Sequence, residues 1–322
     1  MMDLGRLRAL HAVAVHGSVG GAAAALGFTP SAVSQQIAKL ERETRTVLLE
    51  RQGRGVVLTD AARELADTAQ AVLGLVERAE VRLEEQRGQA VGRLLVAAFA
   101  TGARGLMPGV LVDLRGRCPE LDVRLVESDP YPAAELVARG EVDLALVQDW
   151  PTVPLPVQEG LSRLDLGPDP VDLLLPAGHP LAGLAVVPVG RLGAQRWISV
   201  PPGNICHDWL VRTLREAGEE PDVHYQVGEF ETQIALIAAG LGVGLVPRLG
   251  RGVLPAGVVA RPVVPEPARR VFAIWRSQAS RRPAITEALR ALQARWAAAG
   301  GAAAGSAAGV ADSRADGSGA GG

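Results

Sequence analysis

Ser31, Ser34, Gln35 and Lys39 are the residues of this 322-residue chain whose types and spacing point most directly to a chemistry. They lie in TPSAVSQQIAKLERE, where Val33, Ile37 and Leu40, spaced four and three apart, mark the buried face of a helix. The two serines, the amide and the lysine fall largely on the opposite face. Hydroxyls and amides read the edges of bases, glutamine pairing well with adenine, while lysine more often holds phosphate. Upstream, Ser18 is placed to N-cap an Ala-rich helix ending near Leu26, and Gly27 supplies the left-handed stop that a Cβ would resist. Thr29 then caps the next helix, and Pro30 occupies its first position, where a missing N–H is harmless. Two short helices around a glycine stop, the second bearing polar groups, suit a helix-turn-helix with its second helix in the major groove.

Other candidate chemistry fails on spacing. Cys206-His207-Asp208 has the residue types of a thiol-nucleophile site, but adjacent residues do not face one another for proton transfer. GLGVGL (240–245) follows a helix and leads into a strand, the reverse of a dinucleotide loop. His11, His16, His179 and His224 lack metal-ligand spacing, and Cys118 and Cys206 make no disulfide or metal framework. No enzymatic activity, metal or cofactor is expected.

The elements that must position the polar face divide the chain into four segments. Residues 1–59 form the helical head with a wing. Residues 60–89 read as one long helix, capped by Thr59 or Asp60; Leu65, Ala69, Val72, Val76, Ala79 and Leu83 keep a heptad spacing that favours a partner helix and a dimer. Residues 90–298 alternate strands and helices. Strands at 93–99, 121–127 and 142–147 enclose helices at 105–118 and 132–140, an order that implies a parallel sheet. After the Pro-rich stretch 151–157, strands are expected at 171–176, 197–201, 223–228 and 243–247, with helices at 208–218 and 232–240. A strand at 271–276 and a helix at 285–299 return to the first lobe. The expected lobes are 90–162 with 268–298, and 163–267; residues 299–322 read as a disordered Ala/Gly/Ser tail.

In such sheets ligands bind beyond the carboxyl ends of strands, where helix N-termini offer N–H groups. That rule selects Ala100, Thr101 and Gly102, Gln148, Pro202, Gly203 and Asn204, and Phe230 and Glu231 as contacts for a small ligand. Two converging helix N-termini favour an anion, or a zwitterion if Glu127, Asp129 and Asp149 also line the cleft.

Charge and hydropathy narrow the functional class. The net charge is −2. Within residues 1–60, seven basic side chains (Arg6, Arg8, Lys39, Arg42, Arg45, Arg51, Arg54) outnumber five acidic ones by two, a weak excess that suits paired heads on DNA. No apolar run approaches the roughly 20 residues needed to span a bilayer. The N-terminus alternates at helical spacing rather than forming the apolar block of a signal peptide, so the cytoplasm is expected.

TPSAVSQQIAKLERE followed by LLERQGRGVVLTDAA resembles the N-terminal domain of LysR-type transcriptional regulators, and the resemblance extends to about Trp296. Departures occur at Gly20 and Gly21 for serine and alanine, Thr44-Arg45 for Leu-Gly, Leu49 for Phe and Ala62 for Gly. The resemblance implies a winged helix-turn-helix, a linker helix and a two-lobed α/β effector domain of the periplasmic-binding-protein type. It also implies assembly of dimers into tetramers. The expected DNA-contacting set is Ser18, Thr29, Pro30, Ser31, Ser34, Gln35, Gln36 and Lys39, with Arg51 and Arg54 from the wing. Partners are then double-stranded DNA carrying an interrupted palindrome, a second copy, a small-molecule effector and RNA polymerase. A solute-binding protein would share the two lobes but should carry an export signal and no DNA-binding head.

Overall fold

A computed structural model describes residues 2–52, 55–193 and 195–304. The chain divides after Gly88 into two compact units.

The first unit contains α1 (Leu4–His16), α2 (Val19–Leu26), α3 (Pro30–Thr44), β1 (Leu49–Gln52), β2 (Gly55–Leu58) and α4 (Asp60–Arg87). The caps form as expected. Ser18 Oγ accepts from Gly21 N at 3.0 Å, and Thr29 Oγ1 accepts from Ala32 N at 3.2 Å. Gly27 takes φ +68° at the end of α2. Thr59 is the residue that caps α4, accepting from Ala62 N at 3.2 Å while donating to Val47 O at 2.9 Å. Leu10, Val13, Ala22, Ala23, Val33, Ile37, Leu40 and Leu48 make the core, joined by Ala62, Ala66 and Ala69 of α4. Small side chains there let α4 approach α1 closely.

Arg45 ends α3 at φ +55°, the single non-glycine residue with positive φ among those described. Glu41 braces the turn that follows, its Oε1 accepting from Leu48 N at 2.8 Å and Leu49 N at 3.1 Å. β1 and β2 then pair antiparallel from Leu49↔Leu58 to Gln52↔Gly55, forming the wing.

The second unit begins with β3 (Gly92–Ala98), α5 (Ala100–Gly105), α6 (Met107–Arg117), β4 (Leu121–Glu127), α7 (Pro130–Ala138) and β5 (Leu144–Asp149). β6 (Leu161–Pro176), β7 (Val187–Pro188), β8 (Arg196–Ser199), α8 (Ile205–Glu216) and β9 (Asp222–Gln226) follow. The unit closes with α9 (Phe230–Ala238), β10 (Gly244–Pro247), β11 (Val258–Val264), β12 (Ala268–Arg276) and α10 (Pro283–Ala304). The main sheet runs β4-β3-β5-β12-β6-β11-β7, with β10 also on β6, while β8 and β9 pair separately. β4, β3 and β5 are parallel, as the strand–helix alternation requires.

Three expectations change. β6 is sixteen residues long, not six: its first part pairs with β12 of the first lobe and its last part with β10 and β11 of the second. The crossover therefore lies near Pro170 rather than at residue 163. A register shift beside Gly167, where Asp165 faces Phe272 and Gly167 faces Val271, lets a strand containing Pro168 and Pro170 continue. Ala100–Gly105 is a helix of its own rather than an open strand end. Finally, α10 continues to Ala304, past the expected start of the tail, and residues 305–322 lie outside those described.

Candidate DNA interface and inter-lobe cleft

Helix α3 presents Ser31, Ser34, Gln35 and Lys39 to solvent, with Gln36 half-buried and Val33, Ile37 and Leu40 buried. The local cause is the double cap: Thr29 Oγ1 holds the first turn and lies 3.0 Å from Ser31 Oγ. Ser18 and Thr29 thus already serve as caps through the oxygens that were candidates for DNA. Pro30 is exposed in the first turn. Of the wing pair, Arg51 is described only as backbone within β1, and Arg54 lies outside the described residues. Phe28, exposed immediately before Thr29, adds an apolar group that helical periodicity could not assign, because it falls between two helices.

The cleft residues are distributed otherwise than strand-end reasoning expects. Thr101 is 1 % exposed, and its Oγ1 accepts from Arg269 Nη2 at 2.6 Å. Arg269, equally buried, also donates through Nε to Asp169 Oδ2 at 2.9 Å, while Asp169 Oδ1 accepts from Leu249 N. The Thr101 hydroxyl therefore belongs to a buried ion-pair network rather than an open cleft wall. Gly102 is buried too; a Cβ there would meet Leu146 Cδ2 at 2.8 Å and the Phe99 ring at 3.0 Å. Asn204 caps α8 by accepting from Cys206 N at 2.9 Å, and Pro202 and Gly203 are exposed.

What the fold does bring together is a set of contacts between lobes. Gln148, 2 % exposed at the end of β5, donates to Cys206 Sγ at 3.3 Å. Trp150 stacks on Trp209 with ring centroids 3.7 Å apart and planes within 7°. Tyr131 of α7 donates to Asp208 Oδ2 at 3.2 Å, and Arg104 of α5 pairs with Glu231 at 3.2 Å. Burial pushes the Cys206 thiol up, with the Arg269 charge and the N–H groups of Gln148 and Trp150 opposing it. Burial, with the Asp208 carboxylate, likewise raises the Tyr131 phenol. His207 Nδ1 lies 3.0 Å from Val200 O, so Cys206, His207 and Asp208 address three different partners and make no relay.

Between Trp150, Ser199, Cys206, Phe230 and Gln233 lies a cavity of about 10 Å³, and none of the residues around it is charged. Of the two helix starts expected at the cleft, α5 is six residues long with no side-chain cap, and the first turn of α8 is capped by Asn204. Trp150, Trp209 and Tyr131 were the residues missed. Only Trp150 carried a signal, since it stands two residues beyond Gln148, directly after β5.

Residues 4–63 match the family described as "Bacterial regulatory helix-turn-helix protein, lysR family", and residues 87–297 match "LysR substrate binding domain". The chain belongs to the LysR family. It is 30% identical over 301 residues to the DNA-binding transcriptional dual regulator OxyR of Escherichia coli K12, covering 90% of this chain and 95% of that protein. A full-length OxyR point variant from Pseudomonas aeruginosa has a similar fold, with a TM-score of 0.67, 24% identity and coverage of 91% and 95%. Full-length CbnR in complex with its target DNA superposes with a TM-score of 0.57, at 21% identity and coverage of 91% and 100%. This LysR-family chain is a DNA-binding transcriptional regulator, and the head excludes the solute-binding alternative. Among the described residues no single helix is long and apolar enough to cross a membrane.

Proposed function

We propose that this regulator binds, as a dimer, an interrupted palindrome, and that a small molecule held between the lobes of its second unit modulates that binding. The observation that carries the reading is the solvent-facing row Ser31, Ser34, Gln35 and Lys39 on a helix fixed by Thr29 and Pro30. Leu75 (59 % exposed) and Leu83 (56 % exposed) on α4 support a second copy, because large apolar side chains on a long helix need cover. Two weakly basic heads joined in this way gain avidity that one lacks. Four contacts bridging the lobes give an effector something to rearrange. The working compartment is the cytoplasm, where the operator DNA is, and RNA polymerase is the further partner of the DNA-bound dimer.

Selection of duplexes from a random pool by the full-length protein tests this reading. Enrichment of two inverted half-sites, about one helical turn or a multiple of it apart, is expected. Enrichment of a single half-site, or of no sequence, would contradict it.

A further inference from the structure

We propose, resting on the effector reading above, that the cleft takes an uncharged planar aromatic molecule, which replaces Trp209 against the face of Trp150. Trp150 comes from the first lobe, directly after β5, and Trp209 from α8 of the second; both are buried. Their rings lie nearly parallel in van der Waals contact. An aromatic face is thus already in use as the seam between the lobes, and a ligand ring of similar size can take the place of one partner.

The surroundings select the charge of that ring. The cavity beside the stack holds at most one water at about 10 Å³, so binding requires the lobes to part. Its wall is apolar apart from Ser199, Cys206 and Gln233, all uncharged as side chains. The cation closest in the network, Arg269, is tied to Asp169 and Thr101. A carboxylate entering here would lose its hydration without gaining a counter-charge.

Two buried polar atoms at the seam, one on Trp150 of the cavity wall and one on Gln148, which bonds the wall residue Cys206, are available to a ligand that parts the lobes. Gln148 Oε1 is buried with no hydrogen-bond partner among the described residues. Trp150 Nε1 is buried in the same way, with only the weakly accepting Cys206 sulfur to address. Each carries a desolvation penalty that a ligand donor and a ligand acceptor, respectively, would remove. Exchange of Trp209 for the ligand separates the lobes, so the closed and open arrangements differ in their affinity for it, which a modulating ligand requires.

The test uses full-length protein with indole and quinoline as neutral probes and benzoate as an anion of similar size. Near-UV circular dichroism reads the coupling of the two stacked indoles, and calorimetry reads affinity. At least one neutral probe should abolish the coupling, and benzoate should not. Trp209→Leu removes the competing ring and should tighten binding of that probe roughly tenfold. Trp209→Phe, a smaller change, should tighten it in the same direction if the leucine variant fails to fold. Trp150→Phe keeps a ring but loses the N–H, and should weaken quinoline, which offers only an acceptor, roughly fivefold. The proposal is overturned if benzoate binds as tightly as the neutral probes, if no neutral probe alters the coupling, or if both Trp209 variants that fold bind no tighter. Probe binding that leaves DNA occupancy unchanged would uphold the site and overturn the effector reading on which it rests.

Discussion

Lys39 and Thr101 illustrate how differently single residues can be read. Lys39 stands exposed at the far end of the polar face of α3, where it can reach phosphate but is not needed to fold the head. Lys39→Ala should therefore weaken binding to all duplexes alike and lower the slope of log affinity against log salt by about one. A titration across salt concentrations checks this. Thr101 looks from its position like a ligand-facing hydroxyl, yet it is a buried acceptor for Arg269, 168 residues away. Thr101→Val should leave a guanidinium N–H unpaired and destabilise the second unit by about 1–3 kcal/mol in urea melts. The caps at Ser18 and Thr29 were legible because each bonds to a backbone N–H three residues on. The Thr101–Arg269–Asp169 network was not, because no local pattern announces a partner so distant.

At the scale of elements, α2 and the turn after α3 hold correctable weaknesses. Gly20 has open space where a Cβ would stand, so Gly20→Ala should raise the stability of the head by about 1 kcal/mol. Gly21→Ala should gain less, since its Cβ would lie 3.0 Å from His16 Cβ and Ser18 Oγ. Arg45 occupies a left-handed position that costs a side-chain-bearing residue roughly 1–2 kcal/mol, partly offset by the unfolded-state entropy glycine would add. Arg45→Gly should thus stabilise the head by about 0.5–1 kcal/mol, read as a shift in its urea midpoint. Helices and strands with clean periodicity, such as α3 and β4, were legible. The first half of β6 was hidden by Gly167, Pro168 and Pro170, residues that ordinarily end a strand and here sit beside a bulge. In α4 the heptad pattern conflated two roles. Ala69 packs within its own unit, while Leu83 and Leu75, the latter outside the assigned seam, are exposed.

For the whole molecule, that division predicts which part of α4 joins two copies. Leu75→Glu with Leu83→Glu should separate the protomers in sedimentation while leaving the head folded, because neither side chain contributes to its core. Acid stability follows from another long-range pair. Burial alone would raise the Asp172 carboxyl, but hydrogen bonds from Arg248 and Arg251 hold it below its ordinary range. A folded pKa below the unfolded one gives stability that is complete above the ordinary carboxylate range and lost as pH falls through the folded value. Asp172→Asn should accordingly reduce the neutral-pH melting temperature more than the acid one. Domain order and the solvent-facing polar row of α3 were legible because they depend on local periodicity and caps; the closed seam between the lobes depends on side chains meeting across it. The most direct test of DNA reading by α3 is duplex selection repeated with Gln35→Ala beside wild type. Degeneracy at one position in each inverted half-site, with the remaining positions and the spacing preserved, is the expected result. An identical base preference in both proteins would contradict the placement of α3 in the major groove.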